Sequence, residues 1–356
     1  QSRYLGNGEI NHLFMTVYRD VKPSLIALSI VSSWTWTSTL LHSSTVAYKY
    51  GISGFSSYIG SADKMYDLLV NASSRNKVPY NEDGSYVTLS SFQGLYFGII
   101  GIIGNFGTIF ADNAYWQRAI AVRTSSTVKA YLIGGLSWFA IPFTLATSMG
   151  ISGIALVEAG LMDPLTDEDL SAGLVLPTAA AVLLGKLGAV AVLVLTFMAV
   201  MRADEDQLNT QSYLSYIVSG IAMSVISSIL HYIGVDLGYM YLFMGIITSP
   251  VVIPIFITLT CDKENLYGII GAAILGLVAG ISVWLGVAKH IFDEISIKST
   301  GSNYPMLCGN IASITLSGIV AIMWSIFSSP GHALGKVKQV LEIMASDEVY
   351  IRDESQ

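Results

Sequence analysis

The chain has 356 residues, of which 53% are hydrophobic and only 12% charged, and its net charge is −7. A soluble domain carries about 25% charged residues, so this composition excludes an ordinary water-soluble fold of the same size. The acidic balance leaves no basic stripe to neutralise phosphates, which excludes nucleic acid as a partner; the two cysteines, Cys261 and Cys308, lack the spacing of a zinc site or a disulfide framework.

Residues 1–20 are polar, without an initiating Met or the charged-then-apolar layout of a signal peptide, which predicts a true N-terminus further upstream. Beyond them, apolar runs of the roughly 20 residues needed to cross a hydrocarbon core recur to the end of the chain. They fall at 24–47, 91–116, 131–157, 177–200, 212–232, 237–260, 266–288 and 306–327. The expected fold is all-α, a single multi-span membrane helix bundle over 1–356 with about eight spans, and the lipid bilayer is its first partner. The 117–130 loop holds Arg118, Arg123 and Lys129 and no acid, so it should face the cytoplasm. By parity, 61–90 and the acidic loop 158–176 then lie outside, and the tail with Lys336 and Lys338 lies inside. The mostly acidic segment 201–211 is cytoplasmic by the same count and does not suit that side.

The first span, 24–47, is richer in hydroxyls than a lipid-facing helix needs: Ser24, Ser29, Ser32, Ser33, Thr35, Thr37, Ser38 and Thr39 lie in its first sixteen residues. They either bond between helices as small polar residues do, or join carbonyls of an interrupted helix around something polar. Trp34 and Trp36 would point about 200° apart on an intact helix. Either the helix is broken there or only one of them lines a small pocket. An indole offers a flat apolar wall and one N–H donor.

The second span carries glycines at every third position, Gly98, Gly101, Gly104 and Gly107, a bare stripe suited to close helix packing that also weakens the helix at 104–107. Asn105 and Asp112 are seven apart, on one face if the helix runs on, with Trp116 one turn further. An acid at membrane depth marks a functional site by default; the alternative places Asp112 at the cytoplasmic end, paired with Arg118 or capping. Trp138 and Pro142 mark a kink in the third span, Lys186 is either a snorkelling or a loop residue in the fourth, and Pro250 and Pro254 are able to hinge the sixth. His42 and His231 read as packing residues. No HExxH or GxSxG occurs, which argues against an enzyme.

The motifs SSWTWTSTLLHSSTVAYKYGISG (32–54), IGNFGTIFADNAYWQRAIA (103–121), YLIGGLSWFAIPFTLATSMG (131–150), GYMYLFMGIITSPVVIPI (238–255) and YPMLCGN (304–310) closely resemble the fungal and plant active urea transporters of the sodium:solute symporter family. The resemblance implies a LeuT-like inverted-repeat transporter core at the plasma membrane. It also implies import of urea by alternating access, coupled to a sodium or proton gradient, with no cofactor. A polyamine or other small-solute permease on the same scaffold, or a non-transporting relative, is the alternative. By the same resemblance 24–47 matches a broken core helix in which Ala27 and Ile30 offer carbonyls to a coupling sodium ion. The 91–116 span matches the opposing broken helix. Substrate-facing candidates are then Trp34, Trp36, Ser38, Asn105, Asp112, Asn113 and Trp116, since urea's four N–H donors and one acceptor call for carbonyls or a carboxylate beside an N–H donor and aromatic walls.

Two junctions depart from the family pattern. After Gly54 the chain passes to Phe55-Ser56-Ser57-Tyr58, as though roughly four spans were absent; after Val200 it moves to Met201-Arg202-Ala203-Asp204 where a Ser-rich half-helix completes the family's sodium site. The transporter core is therefore expected to be incomplete, and transport by the 356-residue chain poor.

Overall fold

The computed structural model of the chain describes residues 23–50, 62–88, 90–112, 115, 116, 119, 124–205, 213–260 and 266–327. These residues form helices and no strand, with one isolated bridge between Asn81 and Ser91. Five helical segments are long and apolar enough to span a membrane: Phe92–Ala111, Thr127–Glu158, Leu237–Thr260, Tyr267–Phe292 and Asn303–Phe327. A sixth is the bent pair Ser24–Trp34 and Thr37–Tyr50. The chain is an all-α, multi-pass integral membrane protein.

Three expected spans differ in detail. The 177–200 stretch is two helices, Val175–Leu184 and Lys186–Glu205, parted at Gly185, whose φ of 60° favours glycine. Lys186 is exposed at the start of the second helix, in the role of a loop residue. The 91–116 span, expected to break near Gly104–Gly107, is a continuous helix from Phe92 to Ala111. The sixth span carries a single 3-10 turn, Ser249–Val251, between helices Leu237–Thr248 and Val252–Thr260, and still counts as one crossing.

Two compact units make up the chain: 1–95 with 113–241, and 96–112 with 242–356. In the first, the Pro23–Trp34 helix lies along the Thr124–Leu145 helix, burying Ile26, Ile30 and Ala130 beside Trp34 and Tyr131. Gly134 permits the approach, since a methyl on it would meet Ile30 Cβ at 3.0 Å and Ala27 Cα at 3.2 Å. The Thr37–Tyr50 helix packs Leu40 on Leu176, Ala180 and Val192. It also presses Ala47 onto Gly150 in the π turn Ala146–Gly150 that follows Pro142, where Ser44 Oγ donates to the Leu145 carbonyl at 3.1 Å. Pro142 lies inside the continuous Thr124–Leu145 helix, the π turn follows four residues later, and a hydroxyl from the neighbouring helix supplies a donor to a carbonyl at its edge.

The polar stretch 61–90 contains an amphipathic helix, Ala62–Arg75, whose Leu69 and Ala72 pack on Ile151 and Ile154. Arg75 pairs with Glu158 at 3.2 Å, and Asn81 Nδ2 donates to the carbonyls of Tyr50 and Ser85, both at 2.8 Å. The last turn of the Thr37–Tyr50 helix is thus tied down by the loop that follows.

In the second unit, Leu266–Phe292 and Asn303–Phe327 form a close pair in which Gly276 and Gly280 accept Ser317 and Ser313, and Gly309 accepts Trp284. Against it lie 242–260. Proline has no N–H, so Pro250 leaves the Ile246 carbonyl without its helical donor and Pro254 does the same to Pro250. Ser313 Oγ donates to Ile246 at 2.9 Å and Ser317 Oγ donates to Pro250. The two serines are four residues apart, as are the two prolines, so one face of the Asn303–Phe327 helix fills both gaps.

Candidate functional site

The break in the first span is the site the sequence led to. Its halves, Ser24–Trp34 and Thr37–Tyr50, are bent by 64°, and Thr35 and Trp36 between them are non-helical. Threonines next to the break take over part of the lost bonding: Thr35 Oγ1 donates to Val31 O at 2.6 Å, and Thr39 Oγ1 to Trp34 O at 3.2 Å. The hydroxyl-rich composition is therefore partly a local device that satisfies backbone where the ladder stops.

Trp34, the last helical residue before the break, stands at the centre of an aromatic cluster. Trp138 meets it edge-on with centroids 5.6 Å apart and planes at 89°, and Tyr115 lies at 6.3 Å and 53°. Tyr131 Oη fixes Tyr115 by donating to its carbonyl at 2.8 Å, and Gly135 lets the indole of Trp34 lie against the Thr124–Leu145 helix. The indole nitrogens of Trp34 and Trp138 are both buried with no hydrogen-bond partner among the described residues. Leaving a buried donor unsatisfied costs about 1–3 kcal/mol. Two such donors lie on touching rings.

Trp36 lies in the break and Ser38 is the second residue of the helix after it; both are half-buried. Ala27 and Ile30 are buried one to two turns before it, within the continuous part of the first half-helix and packed on Gly134. Trp116 belongs to the same unit and is half-buried. Asn105 and Asp112 belong to the second unit: Asn105 is exposed, while Gly104 and Gly107 on the buried face approach Gly245, Thr248 and Ser249; Asp112 directly follows the helix end. Asn113, and Arg118 offered as a partner for Asp112, lie outside the described residues.

Sequence reasoning used Trp138 only as a kink marker and passed over Tyr115 and Tyr131. The signal lay in the motifs themselves, each of which carries an aromatic residue at the close-packed glycine or at the end of a span. Within the second unit, Ser249 Oγ and Asn310 Oδ1 are buried and unpartnered, whereas Asn310 Nδ2 donates to Leu242 O at 3.1 Å and Met306 O at 2.8 Å.

Comparison with known proteins gives a consistent picture. A rice protein (Oryza sativa subsp. japonica) named urea-proton symporter DUR3 is 37% identical over 89% of this chain and 49% of its own length. The urea active transporter of Saccharomyces cerevisiae is 34% identical over 86% of this chain and 46% of its own, and the probable urea active transporter 1 of Schizosaccharomyces pombe is 36% identical over 75% and 45%. This chain is similar to active urea transporters. It spans about half the length of these relatives. No protein-family model matches the chain, and no solved structure does.

Proposed function

We propose that the chain is the solute-recognising part of a secondary active urea importer of the plasma membrane, working by alternating access on a LeuT-like core of the sodium:solute symporter family. The observation that carries the reading is the pair of unpartnered indole N–H groups of Trp34 and Trp138 at the break of the first span. Urea is planar and neutral. Its oxygen suits those two donors, its flat face suits an indole wall, and its four N–H groups need acceptors of the kind that a helix break and its hydroxyls supply. Trp36 and Ser38, at the break, complete the solute contacts in this reading. Asn105, Asp112, Asn113 and Trp116 serve the substrate face or inner gate, and Ala27 and Ile30 offer carbonyls to a sodium ion if sodium is the coupling ion. The rice relative is named a urea-proton symporter, which favours a proton as that ion.

The test is quenching of intrinsic tryptophan fluorescence by urea in the purified chain, with spermidine as competitor. Urea should quench saturably, and Trp138→Phe, which keeps an aromatic ring, though a smaller one, and removes the donor, should weaken affinity about tenfold, the equivalent of about 1.4 kcal/mol. Unchanged affinity in both Trp34→Phe and Trp138→Phe sinks the site, and displacement by spermidine at lower concentration than urea moves the reading to a polyamine permease. Labelled-urea accumulation in transport-deficient cells then separates an importer from a relative that binds without carrying.

A further inference from the structure

Above the break, on the same half-helix, lies a second group of polar residues that solute recognition does not use. His42 and Lys49 are seven residues apart on Thr37–Tyr50, hence on one face. Facing them is the segment that opens the Leu237–Thr248 helix. A methyl on Gly238 would lie 3.2 Å from His42 Cε1 and 3.3 Å from Asp236 Oδ1, so the imidazole and the carboxylate flank one point beside this glycine. Tyr241 covers the imidazole with ring centroids 5.2 Å apart, and Nδ1 of His42 is shut off from solvent. Asp236 is held in place because its Oδ1 accepts from the Tyr239 N–H at 2.7 Å, capping the helix. The ammonium of Lys49 opposes a charge on His42, that of Asp236 favours one and also acts on Lys49, and that of Asp167, exposed at the start of the Asp167–Ser171 helix, acts on Lys49. Asp167, Lys49, Asp236 and His42 thus form a graded series, from an exposed acid on the 158–176 loop to a shielded imidazole. Of the other titratable groups on these elements, Tyr48, Tyr50, Tyr239 and Tyr241 carry no charge at neutral pH, and Glu168 and Asp169 add two acids beside Asp167.

We propose that His42, with Asp236 as counter-ion, is the proton-binding site that couples this protein to a proton gradient, filled from the side of the 158–176 loop. The inference rests on the transporter reading above and names the ion and its site. His42 lies about 12 Å below the Tyr50 end of its helix and about 9 Å above Trp36, at 1.5 Å per residue, between the outer end and the solute break. Histidine changes charge in the physiological range, and an imidazolium at 42 and the ammonium of Lys49 compete for one carboxylate. A proton from outer water bonds to the basic imidazole nitrogen, the new charge is balanced by Asp236, and Lys49 is left to Asp167. This exchange joins the Asp236–Tyr241 segment electrostatically to the broken helix that carries Trp34, which gives protonation a route to the solute site within one unit.

The experiment has two arms on the purified full chain. In the first, a pH indicator follows proton uptake when urea is added near neutral pH, while tryptophan fluorescence follows urea itself. Wild type and His231→Gln, an exposed histidine, should take up a proton with urea. His42→Gln and Asp236→Asn should still show the fluorescence change and take up none. Proton uptake unchanged in His42→Gln, or urea binding without proton uptake in wild type, overturns the coupling role. In the second arm, with no urea present, the histidine signals of carbon-13-labelled chain are followed from about pH 8 to about pH 3, a span wide enough for a buried imidazole. The signal missing from His42→Gln should move, and over a displaced pH range in Asp236→Asn; a stationary signal, or one indifferent to Asp236, overturns the proton site. Absence of any fluorescence change with urea in wild type refutes the urea reading alone, because the second arm still decides the site.

Discussion

The pairing of Pro250 and Pro254 with Ser313 and Ser317 yields a quantitative test. Ser313→Ala removes the hydroxyl that donates to Ile246 at 2.9 Å and leaves that carbonyl buried without a donor, since Pro250 has no N–H to offer. Ser313 and Ser317 are both fully buried, so water cannot easily take over. Hydrogen bonds between membrane helices contribute about 0.6 kcal/mol on average and up to about 1.7, and this one sits at the high end because its acceptor has lost its usual partner. The single substitution should therefore cost about 1–2 kcal/mol in unfolding by denaturing detergent. Pro250→Ala restores an N–H that can reach Ile246, so Ser313→Ala made in that background should cost less than half as much, a coupling a double-mutant cycle resolves. If Ser313→Ala costs the same in both backgrounds, the serine is only filling space against Gly280, and the donor argument is wrong. Ser317 with Pro254 should repeat the pattern.

Other outcomes follow from the same geometry. Gly107→Ala puts a methyl 2.4 Å from Thr248 Oγ1 and 2.7 Å from the Ser249 nitrogen, backbone that cannot swing away, and should lower stability by about 1–3 kcal/mol in thermal unfolding, whereas Gly98→Ala meets nothing within 4 Å and should be neutral or stabilising. Gly150→Ala, 2.5 Å from Ala47 Cβ and 2.6 Å from the Ser44 carbonyl, should part the second half-helix from the π turn, lowering the melting temperature while Gly160→Asn, at φ 71° with open space around it, leaves it nearly unchanged. Arg75→Gln should cost less than about 1 kcal/mol and lose even that in high salt, because the arginine of its pair with Glu158 is 75% exposed.

Much of the fold was legible where composition alone decides. Glycine spacing at 98–107 announced close packing, and Gly104 and Gly107 provide it. The same spacing suggested a weak helix, which the Phe92–Ala111 helix is not: the cost of glycine in a helix is small beside the packing gained when two backbones touch, as Gly104 and Gly245 do. The break at Thr35–Trp36 was readable from two tryptophans that an intact helix cannot bring together. Gly185 was not, because a glycine within an apolar run looks the same whether or not its φ is positive. Ser313 and Ser317 read as small residues on a packing face, since nothing within the Asn303–Phe327 sequence names carbonyls 67 residues away. His42 read as a packing residue for a related reason: Asp236, which flanks the same glycine, Gly238, lies on a segment distant in the sequence.

The two interruptions differ in what they leave over. At Pro250 and Pro254 the orphaned carbonyls are matched by serines of a neighbouring helix, and the buried groups left without partners are oxygens, Ser249 Oγ and Asn310 Oδ1. At Thr35–Trp36 the chain's own threonines bond carbonyls beside the gap, and the groups left without partners are two indole N–H donors on rings in contact. A buried donor can be answered only by an acceptor, and an indole has no second hydrogen-bonding mode to fall back on. An anion would also satisfy it, but the described residues around the cluster, Tyr115, Tyr131 and Gly135, offer no positive charge to balance one. A small neutral molecule with a carbonyl oxygen meets both conditions at once, which is the ground for proposing the urea site at the first break rather than the second.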